Sequence, residues 1–161
     1  MTPAIAIFDI GKTNKKLLLF DSMYKILFEE QVQFPEILDE DGFHTEDLQK
    51  LRNWIVSSFE AICTDTRFSI TALNFSSYGA SFVHLNADKE VLTPLYNYLK
   101  PFPENLKNTF EKRVAFTVQT ASPILGMLNS GLQLYWLKYQ KPQLFSQITH
   151  ALHLPDRKSV V

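Results

Sequence analysis

The sequence predicts an α/β domain, a mixed sheet that opens with an antiparallel three-stranded meander and carries flanking helices. Two short apolar runs rich in strand formers, residues 5–8 and 17–20, enclose a compact polar turn with one glycine, the pattern of a β-hairpin. Residues 26–34 then alternate, with Ile26, Phe28, Val32 and Phe34 set against Leu27, Glu29, Gln31 and Gln33. That is a third, half-exposed strand, stopped by Pro35. Leu48, Leu51, Ile55, Phe59 and Ile62 recur at helical spacing, so a helix lays one face on the sheet.

The hairpin tip is suited to phosphate. Gly11 is expected to take a positive φ and let the backbone approach a ligand, Thr13 and Asn14 add small polar donors, and Lys15 and Lys16 bring positive charge. An aspartate ending a buried strand is costly unless it is paired or bound to a metal, so Asp9 is the candidate cation ligand, directly or through water. On spacing alone the same residues also make an ordinary turn with a solvated basic tip. Gly11-Lys12-Thr13 copies the end of a Walker A loop, but that loop needs a glycine at Ala6 and a helix beginning at its lysine. Ala6 lies in an apolar strand, and another strand follows Thr13.

Asp9-x-Gly11-x-Thr13-x-x-Lys16, at the extreme N-terminus between two strands, resembles the first phosphate motif of the FGGY family of carbohydrate kinases, Asp-x-Gly-Thr-Thr-x-x-Lys/Arg. That family shares its superfamily with hexokinase, actin and the heat-shock chaperone ATPases. The resemblance implies a ribonuclease-H-like (actin-like ATPase) fold, which three consecutive antiparallel strands fit. It also implies that Asp9 organises Mg²⁺ while Gly11, Lys12, Thr13, Asn14 and Lys16 face the ATP phosphates. Lys12 stands where the family has threonine, so the hydroxyl expected there is missing.

Further along, the acidic stretch of residues 35–43, with Glu36, Asp39, Glu40 and Asp41, lacks the ordered spacing of an EF-hand and reads as a solvated loop. Thr45 is expected to cap the following helix, with Glu46 and Asp47 in its first turn. Residues 69–75 read as a strand, and the loop Ser76-Ser77-Tyr78-Gly79-Ala80-Ser81 leads into another at residues 82–85, with a turn at residues 86–89. Small polar residues with one aromatic, where strands meet, make a plausible wall for a hydroxylated ligand. In the family the corresponding loop touches the sugar, and a hairpin and a strand ending in a proline-aromatic stretch follow, matched here by residues 91–98. Tyr78, Gly79 and Ser81 are the candidates from position and chemistry, beside the alternative of a loop that satisfies its own backbone.

Pro101-Phe-Pro103 opens a helix. Leu128, Leu132, Tyr135, Trp136 and Tyr139 define the face of another, ended by Pro142. Asn129-Ser130-Gly131 at its start looks like the family's Ser-Gly-x-x-Leu-x-Trp segment, whose beginning borders the sugar pocket, so the resemblance makes Asn129 a candidate sugar contact. His150 and His153, three apart on a strand, point to opposite faces, and neither they nor His44 and His84 are assigned a role.

The chain has 161 residues, 45% hydrophobic and 13% aromatic, enough for one sizeable core, and its formal charge of −1 gives no sign of nucleic-acid or membrane binding. Cys63 is the only cysteine, which excludes an internal disulfide and a cysteine-based zinc site. With no signal peptide and no run long enough to span a membrane, a cytoplasmic protein is expected.

The closing Asp156-Arg-Lys-Ser-Val-Val161 resembles the translation of a sequencing adapter. Residues 1–156 are therefore expected to be an incomplete N-terminal kinase domain and residues 157–161 a non-native tail. The implied reaction is transfer of the ATP γ-phosphoryl group to a sugar hydroxyl. Its general base, an aspartate in the family, and the adenosine site lie beyond the matching portion, so the piece alone is expected to be inactive. The apolar surroundings of Tyr78 and Leu128 suggest a deoxyketose such as L-fuculose or L-rhamnulose, with xylulose and glycerol as other family options. A non-catalytic sugar-binding or regulatory domain of the same fold is the alternative.

Overall fold

The computed structural model describes residues 1–113 and 115–157; residues 158–161 of the expected tail lie outside the described residues. The elements run β1 (Thr2–Ile10), β2 (Lys15–Phe20), β3 (Ile26–Val32), β4 (Ile37–Leu38), β5 (His44–Thr45), α1 (Leu48–Thr64), β6 (Phe68–Ser77), β7 (Phe82–Leu85), α2 (Glu104–Arg113) and α3 (Phe116–Thr120). A 3₁₀ turn (Gly126–Leu128), α4 (Ser130–Gln140), α5 (Pro142–Phe145), β8 (His150–His153) and α6 (Leu154–Arg157) follow. The chain divides into two compact units. Among the described residues, one holds residues 1–37, 46–79 and 154–157, and the other holds residues 38–45 and 80–153.

The first unit is built on a four-stranded sheet in the order β3-β2-β1-β6. β1, β2 and β3 form the expected antiparallel meander, and β6 lies parallel to β1. Strand alternation decides which side chains are inside. Ala4, Ala6, Phe8 and Ile10 of β1 and Leu17 and Leu19 of β2 are buried, with Leu51 and Ile62 of α1 in the same core. Phe8 stacks on Phe75 and meets Trp54 edge-on, both at 5.4 Å between ring centroids. Burying such a ring contributes about 1.5–3 kcal/mol, which is why the first strand tolerates so few polar residues. Ala6 is buried within β1 and a strand, not a helix, follows the loop, so the Walker A geometry is absent.

Two expectations about this unit are corrected. Asp47, not Thr45, caps α1, accepting a hydrogen bond from the Lys50 amide at 2.9 Å, so Glu46 and Asp47 precede the helix rather than filling its first turn. Thr45 instead buries its hydroxyl, which donates to the Leu95 carbonyl within the second unit. Gly11 does not adopt a positive φ, which among the glycines is found only at Gly42 and Gly126. It is required for closeness, because a Cβ there would lie 2.8 Å from the Asn14 carbonyl oxygen.

In the second unit β7 and β8 pair antiparallel, Phe82 opposite His153 and Leu85 opposite His150. The turn at residues 86–89 closes through the Asn86 amide and Glu90 carbonyl at 3.0 Å, with Lys89 at φ +63°. The expected strand over residues 91–98 reduces to isolated bridge positions at Val91, which pairs with Leu85, and at Leu95, since Pro94 cannot continue a ladder. α4 buries Leu132, Gln133, Trp136 and Leu137. Its inward face is thus turned from the one expected, and Leu128 and Tyr139 are exposed. Gln133 is tolerated inside because its carboxamide donates to the carbonyls of Met127 at 2.5 Å and of Ala80.

The acidic stretch is exposed along most of its length, as expected of a solvated loop, but Asp39 is buried and the carboxylates of Asp39, Glu40 and Asp41 are ion-paired. Lys100 binds Asp39 at 2.5 Å and Asp41 at 2.7 Å, and Lys141 binds Glu40 at 2.8 Å and Asp41 at 3.0 Å. Both ammonium groups lie over the rings of Tyr96 and Trp136, at 5.1–5.9 Å. The hydrogen bond from Lys100 holds the Asp41 carboxyl below its usual range, although partial burial opposes this. Burial raises the Glu40 carboxyl, but hydrogen bonds from Lys141 and Tyr96 outweigh it and leave the group lowered. Burial and the hydrogen bond to Glu40 together push the Tyr96 hydroxyl far up.

Candidate phosphate and metal site

The first unit's sheet determines which tip residues can act together. Cross-strand pairing sets Asp9 opposite Lys16, Lys16 opposite Gln31 and, through the parallel ladder, Asp9 beside Ser76. These four form one row across the sheet and alternate with the core-facing positions, so they share the opposite face. Asp9 is half-buried, and among the described residues no hydrogen bond or ion pair reaches its carboxylate. Lys16 pairs with Glu29 at 2.8 Å, near the surface.

Beyond this row the four-residue loop 11–14 turns tightly. The Asn14 side chain receives hydrogen bonds from Gln33 at 2.7 Å and Gln31 at 3.3 Å, tying the loop to β3 and the segment after it. Lys12 forms an ion pair with Glu36. Lys12, Thr13, Gln33, Phe34 and Glu36 line a pocket of about 270 Å³ against the loop.

The structure separates the two neighbouring lysines. Lys16 stays on the face of Asp9, whereas Lys15 is turned into the core, 1% exposed. Its ammonium binds Glu46, itself 5% exposed in its side chain, at 2.8 Å, donates to the Lys12 carbonyl at 3.0 Å, and lies over the Phe34 ring at 5.8 Å. The other oxygen of Glu46 accepts from the Tyr78 hydroxyl at 3.2 Å, and the Tyr78 amide donates to the Ile10 carbonyl at 3.1 Å. Lys15 was expected at the tip with Lys16, but it sits behind the loop, because β-strand residues one apart face opposite ways. Glu46 escaped sequence reading because its partner lies 31 positions earlier and nothing in the spacing joins them.

The other candidate residues fall in different settings. Tyr78 and Gly79 lie in the first unit, directly after β6. In the second unit, Ser81 is buried and its hydroxyl donates to the Tyr96 carbonyl at 3.0 Å. Asn129 is the residue before α4; its side chain accepts from the Leu125 amide at 2.6 Å and donates to the Pro123 carbonyl at 3.3 Å. Both side chains thus take part in holding local backbone.

A carboxylate with no protein partner, on a strand end beside a lysine, is a fitting ligand for Mg²⁺, which usually keeps several waters and needs one or two carboxylates. Among the described residues no group of three or more histidine, cysteine, aspartate or glutamate side chains forms a metal cage, and no helix is long and apolar enough to cross a membrane.

The meander, the parallel fourth strand and the tight polar loop belong to a fold found in sugar kinases. Solved structures share it. Gluconate kinase from Lactobacillus acidophilus is 23% identical, with a TM-score of 0.78 over 94% of this chain and 31% of that one. Ligand-bound xylulose kinase from Lactobacillus acidophilus is 24% identical, with a TM-score of 0.79 over 92% of this chain and 31% of that one. Plasmodium falciparum glycerol kinase with ADP is 13% identical, with a TM-score of 0.67 over 90% and 30%. The chain therefore spans about a third of the length of these kinases. Comparison with curated proteins gives no match. The N-terminal domain of the FGGY family of carbohydrate kinases matches residues 4–157, and the chain belongs to that family.

Proposed function

We propose that this chain is the phosphate-binding part of a cytoplasmic, ATP-dependent carbohydrate kinase that transfers the γ-phosphoryl group to a sugar hydroxyl. The observation that carries the reading is the unpartnered Asp9 carboxylate set opposite Lys16 at the mouth of the β1–β2 hairpin. Asp9 would hold Mg²⁺, directly or through water, and the metal would offset phosphate charge. Lys16, Lys12 and the polar groups of Gly11, Thr13 and Asn14 would receive the phosphate oxygens, the positioning and electrostatic work on which phosphoryl transfer depends. A glycerol kinase with the same fold binds ADP, which supports nucleotide use.

Tyr78, Gly79, Ser81 and Asn129 are the proposed sugar contacts, and a deoxyketose is the proposed substrate class. The resemblance puts the general base outside the third of the kinases that this chain spans. The 161 residues by themselves are accordingly expected not to phosphorylate sugars.

The test is an NMR titration of the chain with magnesium tripolyphosphate, which needs no adenosine site. Saturable binding, weakened roughly tenfold or more by Asp9→Asn and less by Lys16→Ala, is expected. Binding abolished by Lys12→Ala but indifferent to Asp9→Asn and Lys16→Ala would instead mark a P-loop-like binder and sink the proposal.

A further inference from the structure

The chain of contacts behind the hairpin has a cost that the fold alone does not require. Lys15 and Glu46 are among the few charged side chains buried in the first unit, and taking an ion pair out of water gains little or nothing over apolar side chains of the same volume. Their neighbours on the same strand face, Leu17 and Leu19, show that apolar residues fit there. What the pair supplies is connection. Lys15 reaches the carbonyl of Lys12 inside the phosphate loop, and Glu46 reaches the hydroxyl of Tyr78 after β6.

We propose that Lys15 and Glu46 are positioning residues. Through the Lys12 carbonyl they hold the apex of the hairpin in its phosphate-receiving shape, and through the Tyr78 hydroxyl they tie that shape to a proposed sugar contact. This rests on the phosphate reading of the hairpin. The lysine ammonium is buried, bonded to the Lys12 carbonyl and the Glu46 carboxylate and set over the Phe34 ring, so it acts on the loop rather than on the phosphate.

The experiment compares the wild-type chain with the double variant Lys15→Met/Glu46→Leu, which replaces the pair with apolar side chains of similar volume, and with Tyr78→Phe, which removes one hydroxyl. Thermal melting and the Kd for magnesium tripolyphosphate are measured on each. The expected result is a double variant that melts at or above the wild-type temperature yet binds about tenfold more weakly, with Tyr78→Phe weakened about threefold. A merely structural pair would move stability and leave the affinity of the folded protein unchanged. Wild-type affinity in a folded double variant overturns the inference while leaving the phosphate site standing. Should the double variant not fold, wild-type affinity in Tyr78→Phe overturns it. Absence of binding by the wild-type chain overturns the phosphate reading and this inference with it.

Discussion

A half-buried carboxylate that meets no donor among the described residues adds little to the stability of the apo fold, so changing Asp9 should separate binding from folding. Asp9→Asn is expected to leave the melting temperature little changed while weakening magnesium tripolyphosphate. Gly11 behaves oppositely. Its missing Cβ makes room for the Asn14 carbonyl, so Gly11→Ala is expected to lower stability by about 1–3 kcal/mol in urea unfolding and to weaken phosphate as well. His84 makes stability depend on pH between 7 and 5. It is fully buried, its Nδ1 bonds the Thr93 hydroxyl at 2.9 Å, its Nε2 has no partner among the described residues, and burial pulls its pKa from 6.5 down to about 4. The unfolded chain therefore takes up a proton between those values that the folded chain refuses. Stability should be full above the unfolded value and fall by about 2 kcal/mol as pH drops from 7 to 5, a loss that His84→Gln should largely abolish in urea titrations. The hairpin that carries Asp9, Gly11 and Lys16 could be read from the chain because its pattern is local. Lys15 could not, since lysine in a sequence reads as solvent-exposed and its burial depends on a glutamate on the far side of a strand and a loop.

Elements whose pattern is local were legible, and those held by distant polar groups were not. The three-strand meander follows from alternation and one tight loop, and α1 from its apolar spacing. Its cap was displaced by two residues because Thr45 found a better partner in the Leu95 carbonyl, leaving Asp47 to bond the Lys50 amide. Asp47→Ala is expected to cost about 1 kcal/mol in thermal or urea unfolding, whereas Glu46→Ala should cost more because it strands the buried Lys15. The acidic stretch read only as a solvated loop because it lacks EF-hand spacing and the partners of its carboxylates are remote in sequence. Its partners Lys100 and Lys141 arrive from 59 and 100 residues away. Lys100→Met removes one member of a buried pair and leaves Asp39 without it, so a loss of about 3–5 kcal/mol is expected, far more than for the exposed Lys16→Met.

At the scale of the molecule, the chain belongs to the FGGY carbohydrate kinases and folds as two compact units, within about a third of the length of the solved kinases it resembles. Family membership was legible because Asp9-x-Gly11-x-Thr13-x-x-Lys16 keeps chemistry and spacing together, and a motif survives where overall identity does not. Substrate identity was not legible. The polar groups of the proposed contacts Ser81 and Asn129 are partly taken by backbone, and one methyl changes discrimination by only about 1–3 kcal/mol. The most direct measurement is paramagnetic broadening of backbone amide resonances by Mn²⁺ with tripolyphosphate, in the wild-type chain and in Asp9→Asn. The account predicts broadening centred on residues 9–14 in the wild type and its loss in the variant. Broadening centred elsewhere, or unchanged by Asp9→Asn, would contradict it.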